Sequence, residues 1–250
     1  NLSVLNLAFY PSERGPYNYN ALGQEGFSAG VATDGSLNDP ASRWGGIMRA
    51  MDNTDFESAN YEYIEFWMMD PFIENPNHPG GKLYFNLGDI SEDILKDGKK
   101  SFENGLPSSD VDENVEFTVW GRVPTIQMIV TAFDNTTDDA RLHQDVGYDG
   151  LPSTSEQEYF GDNFLSLLEG HLDGDALARI VEDPSSDDYH YFRGSDYDDA
   201  NLKILDRYKK YNNAEGNSPS QNMSPENYPT QGSSVPNMED VNNDNTLSED

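Results

Sequence analysis

The residues best suited to chemistry lie between Asp145 and Glu156, in the string DVGYDGLPSTSE. Set on the twelve-residue calcium-loop template, Asp145 takes the first position, Asp149 the fifth, Gly150 the sixth and Glu156 the twelfth. Leu151 at the seventh supplies a backbone carbonyl, and Ser153 stands at the ninth. Calcium chemistry needs this arrangement. Short carboxylates surround a hard cation, glycine permits the sharp turn, and a late glutamate closes the cage from the first turn of a helix. The expected ligands are therefore Asp145, Asp149, Leu151, Ser153 and Glu156, and the expected cofactor is calcium. Two features depart from the template: Gly147 offers no ligand at the third position, and no helix is expected before Asp145. The competing reading of the same string is a glycine-rich acidic turn capping a helix that begins near Glu156.

A second partial match ends the chain. In DVNNDNTLSED, Asp240, Asn242 and Asp244 follow the start of the template, with Asn245 where glycine is usual. Its alternative is an acidic tail. Asp187, Asp188, Asp196, Asp198 and Asp199 form a further group without a selective spacing, expected as a solvated loop. His78, His143, His171 and His190 are scattered, with no paired metal-binding spacing. No phosphate-cradling glycine loop and no nucleophile elbow is present, so the chain reads as a non-enzyme.

The charge narrows the partners. Forty-six acids against 15 bases give a net charge of -31. Such a surface disfavours nucleic acid and anionic lipid, and favours divalent cations and basic partners. No cysteine is present, which excludes a disulfide framework and a thiolate zinc site. No apolar run approaches the ~20 residues of a membrane helix. The start at Asn1, without an initiator methionine or signal-like region, reads as a piece of something longer.

The elements that must position these residues are expected to be mainly β. The string FESANYEYIEFWMMDPF, residues 56–72, packs Tyr61, Tyr63, Ile64, Phe66, Trp67, Met68 and Met69 into nine positions, which favours a buried strand. Residues 1–10, 82–87 and 115–120 read as further strands, and 42–50 as a strand with a bulge. Asp89 to Leu95 reads as a short helical turn, while 125–133 fits strand or helix equally. Residues 11–35 form a long loop pinned by Tyr17 and Tyr19. Helical spacing appears over 156–172, with Phe160, Phe164, Leu167 and Leu168 on one side, and over 202–211. The expected architecture is a jelly-roll-like β-sandwich over 1–135, a helical and acidic-loop part over 136–211, and an Asn/Ser/Pro-rich extended tail over 212–250. Its core should contain Trp67, Phe66, Ile64, Leu83, Phe85, Phe117 and Val119.

Several strings resemble one family in the same order along the chain. They are NLAFYPSERGPYNYN (6–20), RWGGIMRAMDNTDFESANYEYIEFWMMDPF (43–72), KLYFNLGDISEDILKDGKKSFENGLP (82–107), WGRVPT (120–125), AFDN (132–135), QDVGYDGL (144–151) and DVNNDNTLSED (240–250). The family is SprA, also called Sov, the giant outer-membrane component of the Bacteroidetes type IX secretion system and of gliding motility. The resemblance implies a segment of a very large single-chain β-barrel that conducts folded cargo, with partner proteins at its lateral opening and periplasmic end. Lacking barrel-strand patterning, the segment reads as an extramembranous insert, on the cell-surface side if it belongs to the cap, with the periplasmic side as the alternative. Implied partners are the rest of the barrel, its accessory subunits and secreted cargo. The family supplies no catalytic residues, and the calcium reading rests on spacing alone. The alternative function is a glycan-binding jelly-roll module of a surface protein, in which exposed coplanar aromatics meet convergent carboxylates.

Overall fold

The computed structural model describes residues 5–51, 53–70, 72–100, 102–103, 105–106, 114–126, 130–134, 136–216 and 234–249. Among them, two short strands pair: β1 (Val115–Thr118) and β2 (Gly121–Pro124), antiparallel, with Val115 opposite Pro124 and Thr118 opposite Gly121. The Thr118 hydroxyl accepts from the Trp120 amide at 3.1 Å and helps close the tight turn. Helices follow: α1 (Asp138–Gln144), α2 (Ser153–Tyr159), α3 (Ser166–Leu168), α4 (Gly174–Glu182), α5 (Ser195–Asp199) and α6 (Ile204–Arg207). A π-helical turn, Gly161–Leu165, joins α2 to α3. Local signals explain the starts of α1 and α4. The Thr137 side chain accepts from the Ala140 amide and Asp173 from the Ala176 amide, satisfying donors that each first turn leaves open.

The core sits in the helical half. Ala21, Leu151, Phe160, Phe164, Leu165, Leu168 and Ile180 are buried together, with Tyr19, Tyr159, Leu172, Leu177 and Val181 packed against them. Of the apolar side expected on 156–172, Phe160, Phe164 and Leu168 are buried while Leu167 is exposed. The π turn shifts the phase of the helix there, because its wider step is inserted between Phe160 and Ser166. The long loop 11–35 closes over this core. Tyr19 stacks on Phe160 at 4.5 Å between ring centroids, and the Tyr17 hydroxyl donates to the Tyr148 carbonyl at 3.3 Å. The Asp173 amide donates to the Thr33 carbonyl at 2.7 Å, tying the loop to the start of α4.

The mainly-β, jelly-roll-like sandwich is not what forms. Only the β1–β2 hairpin pairs as strands among the described residues, and the expected core is at the surface. Trp67 is 101% exposed, and Phe66, Ile64, Leu83, Phe85, Phe117 and Val119 are all more than half exposed. The physical reason is that β-propensity measures fit to a pleated surface with neighbours on it. Segments 61–69 and 82–87 touch through Phe66 and Phe85, 5.2 Å apart, yet carry no ladder between them. Without cross-strand pairs, aromatic density alone buries nothing. No helix among the described residues is long and apolar enough to cross a membrane.

Candidate functional site

The loop 145–152 lies between two helices. Asp145 caps the C-terminus of α1, and Ser153 opens α2. The helix absent from the sequence expectation is therefore present. It is seven residues of DDARLHQ, too short and too polar to show a periodic face, and its legible signal was the Thr137 cap. The loop is clamped to β2 from its other side. The Arg122 amide donates to the Asp149 carbonyl at 2.7 Å, and Arg122 Nε donates to the Gly150 carbonyl at 2.7 Å. Close approach makes the glycines necessary: a Cβ on Gly150 would stand 2.1 Å from the Arg122 carbonyl oxygen.

The five expected ligands do not converge as a set. Asp145 is buried, and its Oδ1 accepts from the Gly216 amide at 3.1 Å. Asp149 is buried with both oxygens engaged: Oδ1 accepts from the Leu151 amide at 2.8 Å and Oδ2 accepts from the Ser185 hydroxyl. Leu151 packs into the core. Ser153 is a donor, its amide and hydroxyl reaching Glu215 Oε1 at 2.8 and 2.7 Å. Glu156 alone points an unengaged oxygen inward.

Glu156 instead joins Asp187 and Glu215, with one oxygen of each within 4.8 Å of the others. Glu156 and Asp187 are both 0% exposed. In each of the three, one oxygen is oriented by a backbone amide. The Ser185 amide donates to Glu156 Oε2 at 3.1 Å, the Tyr148 amide to Asp187 Oδ2 at 2.7 Å, and the Ser153 amide to Glu215 Oε1. The other oxygens, Glu156 Oε1, Asp187 Oδ1 and Glu215 Oε2, have no hydrogen-bond partner. Asp187 also stands against Gly147, the third loop position. A Cβ on Gly147 would stand 2.4 Å from Asp187 Oδ2, so glycine there makes room for a carboxylate delivered from the 183–188 loop. Burial pushes the Glu156 carboxyl up to about 9, with Asp149 and Glu215 adding repulsion. Burial likewise raises Asp149 and Glu215 to about 7, and holds Asp187 well above its ordinary value.

A second acidic cluster joins Asp93, Asp97 and Glu239. The expected helical turn at 89–95 is a loop, and it parallels the C-terminal loop at four positions. Glu92, Asp93, Asp97 and Gly98 correspond to Glu239, Asp240, Asp244 and Asn245 at one constant interval. Asp93 accepts from the Asp97 and Gly98 amides, and Asp240 accepts from the Asp244 and Asn245 amides. Lys96 and Gly98 have positive φ, as do Asn243 and Asn245. The exchange is reciprocal: Glu239 Oε1 accepts from the Ile94 and Leu95 amides, and Glu92 Oε1 from the Val241 amide. Of the C-terminal trio expected from the template, Asp240 and Asp244 are spent on this turn, and Asn242 Nδ2 donates to Asp244. The repeat was legible as E-D-x-x-x-D-[G/N], but a shared seven-residue pattern so far apart carries weight only once the loops face each other.

The remaining acidic group divides. Asp187 is deep in the first cluster, whereas Asp196 pairs with His190 at 2.9 Å and Asp198 with Arg207 at 2.7 Å near the surface. The expectation of a solvated loop fails for Asp187 because the turn from Asp183 folds it inward: its amide donates to Asp183 Oδ1 at 3.1 Å. Among the other imidazoles, His171 contacts the Val31 carbonyl at 2.7 Å and His78 stacks on Phe72.

The acidic turns of 183–199 and the C-terminal acidic loop lie within residues 163–250, which match a family of motility related/secretion proteins. That family is SprA_N, and the similarity spans residues 163–250, about a third of the chain. No curated protein matches the chain.

Proposed function

We propose that this chain is a non-catalytic, extramembranous, cap-like segment of an outer-membrane protein translocon that serves secretion and gliding motility. The observation that carries this reading is the match of residues 163–250 to the motility related/secretion family. Two structural features support it. The helical core draws in the tyrosine-bearing loop 11–35, and the exposed apolar residues of 61–69 and 83–87 suit a chain built into a larger parent. Its partners are the rest of the barrel, accessory subunits and transiting cargo. The jelly roll that the glycan-binding alternative assumed does not form.

The absence of cysteine provides the test. Asp162→Cys, at an exposed position, is introduced into the parent protein in its own cells and treated with a membrane-impermeant maleimide. Labelling of intact cells supports a cell-surface cap. Labelling only after the outer membrane is permeabilised moves the segment to the periplasmic side. Deleting residues 136–211 from the parent should abolish secretion and surface spreading while the barrel persists in the outer membrane; unchanged secretion would refute a role in the translocon.

A further inference from the structure

We propose that Glu156, Asp187 and Glu215 bind one calcium ion, which fastens the 183–188 loop and residue 215 onto the α1–loop–α2 unit. The geometry is that of a built site. Three carboxylates from three separate stretches each spend one oxygen on a backbone amide and leave the other without a partner. Two of the three are fully buried. Calcium–oxygen distances of about 2.3–2.6 Å put two oxygens of one ion no more than roughly 5 Å apart, the spacing that the cluster has. Three carboxylates crowded together, two of them fully buried, repel and are poorly solvated, whereas a divalent ion compensates both costs. The donor set is all oxygen, without histidine or cysteine, which selects a hard cation over zinc. Calcium fits better than magnesium, because magnesium keeps several waters and this site is closed.

A second ion is carried independently by the paired loops. Glu239 is buried, its Oε1 is fixed by two amides, and its Oε2 has no partner; Asp97 Oδ2 is likewise unpartnered. With Asp93 they form an oxygen cluster between segments far apart along the chain. The two ions act as clasps on a chain whose regular elements are too short to hold themselves, and metal binding is thereby coupled to folding. None of this depends on the translocon reading.

The test uses the 250-residue chain, stripped with a chelator and exchanged into sodium chloride at fixed ionic strength. Isothermal titration with calcium should give two ions per chain and a higher melting temperature, with magnesium having little effect. The double variant Glu156→Gln/Asp187→Asn should lose one ion and Glu239→Gln the other, while Asp162→Asn keeps both. One ion, lost only in the first variant, would support the first site and overturn the second. No uptake, a stoichiometry indifferent to both variants, or equal stabilisation by magnesium would overturn the proposal. Should a variant fail to fold, the wild-type chain still decides: tyrosine-sensitised terbium emission, reversed by calcium, supports the sites, and its absence refutes them.

Discussion

Residues 61–69 and residues 145–188 invert the usual relation between polarity and burial. The first carry the densest run of aromatic and apolar side chains in the chain, and Tyr63, Trp67 and Met69 are at least four-fifths exposed. The second are rich in carboxylates, and Asp145, Asp149, Glu156, Asp183 and Asp187 are buried. The difference lies in available partners. Around 145–188, helices, an inserted tyrosine loop and backbone amides converge, so each acid finds at least one donor. Around 61–69 no strand or bridge forms among the described residues. Burial follows from what can be packed and satisfied, and apolar content alone does not decide it.

The strongest way to break this comparison is to truncate one large side chain in each region. Phe164→Ala removes a fully buried ring beneath Tyr19 and Arg14, and should cost about 3–5 kcal/mol in denaturant unfolding. Trp67→Ala should change stability by less than about 0.5 kcal/mol. Comparable losses would show that residues 61–69 are core after all.

The buried carboxyls predict the pH response of the chelated chain. For Glu156 the folded value, about 9, lies above the ordinary 4.5. Below about pH 4.5 folded and unfolded forms both hold the proton, and no penalty arises. As pH rises toward 9 the unfolded chain releases a proton that the fold retains, so stability falls by up to roughly 1.4 kcal/mol per pH unit for each such group. Melting temperatures in chelator should therefore drop between pH 5 and 8, and saturating calcium should flatten or reverse that slope. A chelated chain that grows more stable with pH would mean that these carboxyls are ionised and otherwise compensated.

A glycine pair sharpens the role of Asp187. Gly147 and Gly80 have nearly equal φ, +78° and +79°, but only Gly147 has a neighbour within reach of a Cβ. Alanine at Gly80 should cost about 1–2 kcal/mol for the left-handed backbone alone. Gly147→Ala adds displacement of Asp187 and should cost about 1–3 kcal/mol more. Equal losses would remove Asp187 from the loop's third position.

Smaller effects separate buried from exposed polar contacts. Tyr19→Phe loses the hydroxyl donated to Ser185 at 3.1 Å and should cost about 0.5–1.5 kcal/mol. Asp198→Asn, weakening the half-exposed pair with Arg207, should cost less than about 1 kcal/mol and fade in salt. The ranking by chemical melts checks both.

Much of the local chemistry was readable. The helix beginning near Glu156, the turn glycine Gly150, the loop pinned by Tyr17 and Tyr19, and the inward side of Phe160, Phe164 and Leu168 all follow from spacing, capping and side-chain type. Of the strings that carried the family resemblance, DVNNDNTLSED (240–250) lies within the residues that match the family. Glu156 was legible as a ligand candidate because a twelve-position spacing is a local property of the chain.

The meeting of Asp187 and Glu215 with Glu156, and of Asp93 and Asp97 with Glu239, was not legible, because convergence of segments distant in the chain is a tertiary fact. The sandwich was misread for the complementary reason. Alternating and aromatic runs specify that a segment can be a strand, while pairing specifies whether it is one, and pairing depends on a partner that the run itself does not encode. Composition determined that this protein is acidic and free of cysteine. Only the folded arrangement decided which few of 46 acids leave the water, because burial of a carboxylate is set by the amides and cations that other segments bring to it.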